Sequence, residues 1–409
     1  MFTGDRSKNL VFYGHVWKIF PTDNKFKAFL DSTASATGPR LGLEQVRIMR
    51  NLLTSDVIDD ILDSKNIIAF KDGVIDIAHF DEGIRPGRPC DFITTQIGYA
   101  MTSAADPALE EELQELLEMI FPDESLLKYF LYHMASCLDS GNIDKLFIIW
   151  HGLGNNGKSV MESLVEHAFG SYCYKAPTSL FSSRRADSSG ATPELVRLNK
   201  SLVSFVQESD NREQINVGIL KELTGNDTIY TRGLYEAPRT IEVRCKFILV
   251  TNKVYNLSQA DDATWARIRV IPFLSKFVRK ESEVSKKKRT FLVNPHYIKR
   301  VRSLAPYFMR LLMEYYPRYR EEGMPECELV DEHTNSLKRL NSPVALFVED
   351  ELYSDETGSV MFQEVYDLYR TYARKNCGIR TTTAADFDSG MRKLGVSIVD
   401  GYVIGYYIR

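Results

Sequence analysis

Long apolar runs are missing from this 409-residue chain, and none approaches the ~18 consecutive residues needed to cross a bilayer. A membrane-inserted protein is therefore not expected. Cysteine is scarce: Cys90, Cys137, Cys173, Cys245, Cys327 and Cys377 lie far apart, with no Cys-x-x-Cys and no neighbouring His pair. That spacing argues against a zinc site or a disulfide scaffold and for free thiols in a reducing compartment. With 24 Gly and 15 Pro the chain falls well below the share that marks collagen or low-complexity disorder. An excess of one charge is also absent. Lys plus Arg number 51 against 55 Asp plus Glu, a net of −4, so any electrostatic case for a polyanionic partner has to be local. The start, Met1 to Lys8, is too charged for a signal peptide, and a cytoplasmic location is expected.

What is present is an ordinary globular composition, 44% hydrophobic and 26% charged, with material for two or three domains at roughly 150 residues each. Residues 1–100 mix short apolar runs with turns and read as an α+β region. Within it Asn66 to Phe70 and Val74 to Ile77 flank an Asp72-Gly73 pair, a hairpin signal. Residues 101–140 read as a helical segment. Leu109, Leu113, Leu116, Leu117 and Ile120 recur at helical spacing opposite a face of glutamates, and a second helix is expected from Asp123 to about Leu138.

Residues 141–320 alternate strand runs with helical segments, the pattern of an α/β fold with a parallel sheet. The strand candidates are 146–150, 202–206, 247–250 and 269–273, and a helix is expected over about Pro306 to Tyr316. Residues 276–302 hold ten Lys or Arg against Glu281 and Glu283, either a solvated loop or a phosphate-facing segment. Residues 341–409 read helix (Phe362 to Arg374), helix (Ala384 to Leu394) and a terminal hairpin about Asp400-Gly401, the order of a winged-helix-like module.

The chemistry concentrates where Leu146 to Trp150 runs into His151-Gly152-Leu153-Gly154-Asn155-Asn156-Gly157-Lys158-Ser159, followed by helical spacing from Val160. This is G-x-x-x-x-G-K-S in a strand, loop, helix context. Glycines let consecutive N–H groups turn inward around phosphate oxygens, and the helix N-terminus adds its positive dipole end. Lys158 reaches the β- and γ-phosphates, and Ser159 offers a hydroxyl to Mg²⁺. A bound nucleotide with Mg²⁺ follows. Such a site also needs a carboxylate at the end of a neighbouring strand, and Leu202 to Val206 delivers Gln207-Glu208. The next strand delivers Thr251-Asn252, where an amide can bond both the γ-phosphate and the attacking water. Between them lies a β-run, turn, β-run segment whose Arg232, Tyr235 and Arg239 combine cations with a stacking aromatic, alternatively a decorated surface hairpin. Arg267 and Arg269 flank the start of the last strand, each open to salt bridging or to stabilising phosphoryl charge.

The ordered set Gly152 to Ser159, Glu208, Gly225-Asn226-Asp227 with Arg232, Thr251-Asn252 and Arg267-Ile268 resembles the superfamily 3 helicase domain, in particular the primase-helicases of poxviruses and other nucleocytoplasmic large DNA viruses. The resemblance covers about residues 66–275. It implies an AAA+-like core that assembles as a ring, usually a hexamer, and hydrolyses ATP to translocate on single-stranded or forked DNA. It further implies that Glu208 activates water and shares Mg²⁺ with Ser159, that Asn252 senses phosphate, and that Arg267 acts on the neighbour's ATP. Gly152 to Val160 would cradle the nucleotide, and the hairpin 228–243 would enter the channel.

The chain departs from the pattern at Gln207, where many relatives carry a second acid, and at Lys253-Val254-Tyr255, which lacks a common proline. No primase motif precedes the motor, so a primase domain or protein and other replication factors are expected partners, at a host cytoplasmic or viral replication site. The alternatives are a DNA-packaging or remodelling ATPase, and an ATP-switched DNA-binding assembly module with weak hydrolysis.

Overall fold

The computed structural model describes residues 9–20, 22–33, 63, 66–102, 106–182, 192–207, 215–233, 239–252, 257, 260–376 and 383–409. The N-terminal region opens with strands β1 (Asn9–Tyr13) and β2 (Val16–Phe20) and helix α1 (Asp23–Thr33), followed by β3 (Ile67–Phe70), β4 (Gly73–Asp76) and β5 (Ile84–Arg85). The expected hairpin forms between β3 and β4, but Phe70 pairs with Gly73, so the turn is Lys71-Asp72. Gly73 is required for another reason: a Cβ there would sit 2.7 Å from the Arg85 carbonyl oxygen on the next strand.

Helices α2 (Pro107–Ile120) and α3 (Glu124–Ser136) are started by Asp106 and Asp123, whose carboxylates accept from Ala108 N and Leu126 N. α2 buries Leu113, Leu116, Leu117 and Ile120 of its expected stripe, with Leu109 half-buried, and α3 is buried over most of its surface from Tyr129 to Ser136.

The central sheet contains β6 (Phe147–His151), β7 (Cys173–Pro177), β8 (Val203–Gln207), β11 (Lys246–Thr251) and β12 (Ile268–Pro272), all parallel. Its spatial order is β12-β6-β11-β8-β7, a P-loop-type α/β core with the glycine-rich loop leaving a strand flanked on both sides. Side-chain alternation divides the sheet between two hydrophobic clusters. Ile148, Trp150, Phe205 and Ile248 pack against α2, α3 and α4 (Lys158–Phe169), while Phe147, Ile149, Val206 and Phe247 face α5 (Val217–Thr224) and the hairpin β9 (Thr228–Thr231) and β10 (Arg239–Glu242). After the short helix α6 (Asp262–Trp265) and β12 come β13 (Lys276–Val278) and β14 (Thr290–Leu292).

Two helices differ from the sequence reading. α7 spans Tyr297–Glu322, beginning well before Pro306, because Tyr297, Val301 and Leu304 continue its buried stripe upstream. α8 (Glu328–Leu340), absent from that reading, packs on β12, and Thr334 Oγ1 accepts from Val270 N at 3.0 Å. The C-terminal module has helix α9 (Pro343–Glu351), β15 (Leu352–Met361), α10 (Phe362–Asn376), α11 (Ala384–Lys393), β16 (Ser397–Val399) and β17 (Tyr402–Ile408). The antiparallel sheet β15-β17-β16 closes over Phe347, Tyr369 and Phe387, giving the winged-helix-like order with one further helix at its start.

Candidate nucleotide site

The glycine-rich loop leaves β6 and is shaped by close approach and left-handed backbone. A Cβ on Gly152 would lie 2.8 Å from the Phe273 carbonyl oxygen, the residue just past β12. Gly154 (φ +94), Asn155 (φ +47) and Gly157 (φ +89) then turn the chain, and Gly157 caps α4. A Cβ on Gly157 would meet Ile120 Cγ1 at 2.8 Å, so glycine is needed there both for conformation and for room.

Lys158 is buried at the start of α4, and its ammonium donates to the Gly152 carbonyl at 2.7 Å and to Asn156 Oδ1 at 3.2 Å. Asn156 in turn donates to the Phe273 carbonyl at 3.3 Å. The lysine is thereby folded back over its own loop, held by an amide that the motif leaves unspecified. His151, on the strand just before the loop, is pushed below the usual histidine range by burial and by the charges of Lys158 and His333.

The loop opens onto a pocket of about 430 Å³. Gly154 to Val160 line one side, Ser159 included, and Thr251 and Asn252 from the end of β11 join them. Register explains the meeting, since Thr251 and Pro272 both pair with His151, which puts the ends of β11 and β12 level with the start of the loop. Leu153 is the loop's exposed tip, at 92%. The remaining wall was not anticipated from sequence: Leu116 and Ile120 from α2, then Phe277, Val293, Asn294 and Tyr297. These side chains are mostly apolar, and Ile120 and Phe277 pack directly against Gly157 of the loop.

β8 ends at Gln207, which pairs with Val250, so this strand too runs to the loop edge of the sheet. Glu208 lies outside the described residues. Arg267 is at the opposite edge: its carbonyl accepts from Phe147 N at 2.7 Å, at the entrance to β6. Five residues of strand, about 16 Å, separate it from the glycine-rich loop of its own chain. Among the described residues its buried Nε has no hydrogen-bond partner. Arg269 instead donates to the carbonyls of Ala266 and Ile268, at 3.1 and 2.7 Å.

Of the predicted DNA contacts, Arg232 follows β9 and is half-buried, and Tyr235 lies outside the described residues. Arg239 begins β10, paired with Thr231. β9 and β10 pair antiparallel, as the two β-runs predict, with Tyr230 60% exposed. The base of this pair is pinned by Asn226 (φ +63), whose side chain accepts from Asn142 N at 2.6 Å and donates to Asn142 O at 2.9 Å. Among the described residues, no group of three or more His, Cys, Asp or Glu is placed to hold a metal, and no helix is long and apolar enough to cross a membrane.

Residues 150–267 match the family described as "Family of unknown function (DUF5906)". A protein of Acanthamoeba polyphaga mimivirus named "Putative helicase L207/L206" is 30% identical over 336 residues, 80% of this chain and 35% of its own length. "Putative helicase 184R" of Invertebrate iridescent virus 6 is 28% identical over 375 residues, 84% of this chain and 38% of its own. The chain thus spans somewhat over a third of the length of these relatives. A solved structure described as "The A form apo structure of NrS-1 C terminal region-CTR" aligns at TM-score 0.48 and 11% identity over 98% of this chain and 94% of that one. By sequence, the chain is a relative of the helicase-named proteins of nucleocytoplasmic large DNA viruses, the type its ordered motifs resemble.

Proposed function

We propose that the chain is the ATP-hydrolysing motor of a viral DNA-replication helicase, acting as a ring, with six subunits, on single-stranded or forked DNA. The observation that carries this reading is the shared pocket: the glycine-rich loop, Ser159, Thr251-Asn252 and an apolar wall line one cavity, while Arg267 stands at the far end of the sheet. Arg267 is out of reach of its own cradle and is available to a neighbour's.

In this reading the backbone N–H groups of residues 154–159 and the start of α4 receive the phosphates. Lys158 exchanges its bonds to Gly152 and Asn156 for the β- and γ-oxygens, so part of its ordering is complete before ATP arrives. Asn252 orients the attacking water, and Glu208, which follows Gln207 at the end of β8, takes its proton. Arg267 of the adjacent subunit meets the charge that develops on the transferred phosphoryl group.

The donor set suits Mg²⁺, which keeps several waters and uses one or two protein oxygens besides phosphate. Ser159 and Glu208 would hold it, and when bound it supplies charge neutralisation. Arg232, Tyr235 and Arg239 on the hairpin contact the strand, and a primase and other replication proteins are the expected partners.

A forked duplex with one labelled strand tests the proposal. The wild-type protein releases the strand with ATP and Mg²⁺, and Lys158→Ala does not. Glu208→Gln retains nucleotide and loses turnover; normal turnover would remove Glu208 from its role, and an inactive wild type on every fork would end the helicase reading.

A further inference from the structure

Phe277, Val293, Asn294 and Tyr297 of the basic segment line the pocket, but its cations Lys276, Arg279, Lys280 and Lys286 to Arg289 do not, and they sit on a defined form. β13 and β14 pair in parallel, Lys276 with Thr290 through Val278 with Leu292, and a Ser285–Thr290 bridge closes the loop between them. Lys286–Lys288 form a single 3-10 turn, fixed by Lys288 N donating to Ser285 O and Arg289 N to Lys286 O, both at 3.0 Å. Arg289 ends it in the left-handed region, at φ +52. Successive side chains in such a turn point about 120° apart, so the three ammonium groups fan outward from one knob.

Lys276, Arg279 and Lys280 are exposed beside them. None of these six cations forms an ion pair among the described residues, although other exposed lysines do: Lys221 pairs with Asp261, and Lys338 and Lys393 with Asp262. Only Glu281 and Glu283 oppose the cations within the segment. The knob is also joined to the nucleotide site, for Phe277 N donates to the Asn155 carbonyl at 2.7 Å and Phe277 lines the pocket.

We infer that this β13–β14 knob is a second nucleic-acid contact, separate from the hairpin at 228–242, that grips the phosphate backbone by charge and without reading sequence. The inference rests on the reading of the chain as a DNA motor. A cluster of like charges repels itself unless a polyanion faces it. Lysine is depleted from protein–protein interfaces, whereas phosphate contacts use it freely, which favours nucleic acid over an acidic protein. The Phe277–Asn155 bond further gives a strand held here a direct mechanical connection to the phosphate cradle.

The test is fluorescence anisotropy with a labelled oligothymidylate over a range of salt concentrations, comparing wild type with Lys286→Gln, Lys287→Gln and Lys288→Gln combined. Losing three phosphate contacts lowers the slope of log K against log salt by about 2, so the deficit relative to wild type grows about a hundredfold for each tenfold fall in salt. ATP hydrolysis without DNA stays unchanged, which shows that the variant is folded. The corresponding triple Lys→Arg variant keeps the wild-type slope. An unaltered slope and affinity in the Gln variant, with wild type active on forks, overturns the knob's role and leaves the motor reading standing. Loss of polyglutamate binding with DNA binding intact also overturns it, in favour of an acidic protein. A wild type that neither binds oligothymidylate nor unwinds overturns both readings together.

Discussion

Replacing Gly157 with alanine perturbs the candidate nucleotide pocket at a point where the structure separates two costs. The φ of +89 puts an L-residue in a region that costs about 1–2 kcal/mol. The added Cβ would also meet Ile120 Cγ1 at 2.8 Å and Cδ1 at 2.9 Å, so the loop, α2 or the Ile120 side chain has to shift. Backbone strain alone predicts nucleotide binding weakened by roughly 5–30-fold, since each 1.4 kcal/mol is a factor of ten, and the clash adds to that. Ile120→Ala removes both colliding carbons. On its own it costs about 2–5 kcal/mol of folding stability, because Ile120 is 1% exposed. Combined with Gly157→Ala it restores part of the binding while leaving the strain component. Titration of a fluorescent ATP analogue into wild type, both single variants and the double variant reads the coupling. Strictly additive losses would refute the placement of α2 against the loop, and undiminished binding in Gly157→Ala would refute the conformational argument.

Two further predictions concern groups outside the pocket. His133 is 1% exposed, both ring nitrogens lack partners among the described residues, and burial together with the Lys246 charge lowers its pKa to about 3. The unfolded chain takes up that proton near pH 6.5 and the folded one does not, so stability present above that value falls by about 1.4 kcal/mol per unit as pH drops toward 3. His133→Leu removes this dependence, so its gain over wild type in urea titrations grows as pH falls from 7.5 to 5; parallel wild-type and variant curves over that range would contradict the buried neutral imidazole. Asn226→Ala loses both bonds to Asn142 and strains an alanine at φ +63, a cost of about 3 kcal/mol, while Asn226→Gly keeps the conformation and costs about half as much. Denaturant midpoints rank the two, and equal losses would discount the backbone contribution.

The strand, glycine-rich loop and helix unit was legible in the sequence because its requirements are local: glycines at fixed offsets, a strand before, a helix after. Residues that meet through long-range packing were not. Leu116, Ile120, Phe277, Val293, Asn294 and Tyr297 come from three separate segments, and none carries a pattern that marks it as the wall of a pocket. Asn156 occupies an unspecified position of the motif, so its hold on Lys158 emerges only from geometry. Pro306 read as a helix start, yet the buried stripe of α7 passes through it. α8 escaped because its buried face is narrow, Val330, Thr334 and Leu337, among polar neighbours. The separation of Arg267 from its own cradle follows from parallel strand register, which a linear motif order does not convey.

The composite ATP site is the claim on which the account turns, and mixing inactive variants tests it most directly. Lys158→Ala and Arg267→Ala proteins, each without turnover alone, should regain part of the wild-type ATPase rate when combined, because mixed assemblies contain interfaces with an intact cradle facing an intact arginine. Arg267→Ala that hydrolyses ATP normally by itself, or a mixture as silent as its components, would contradict a site shared between subunits.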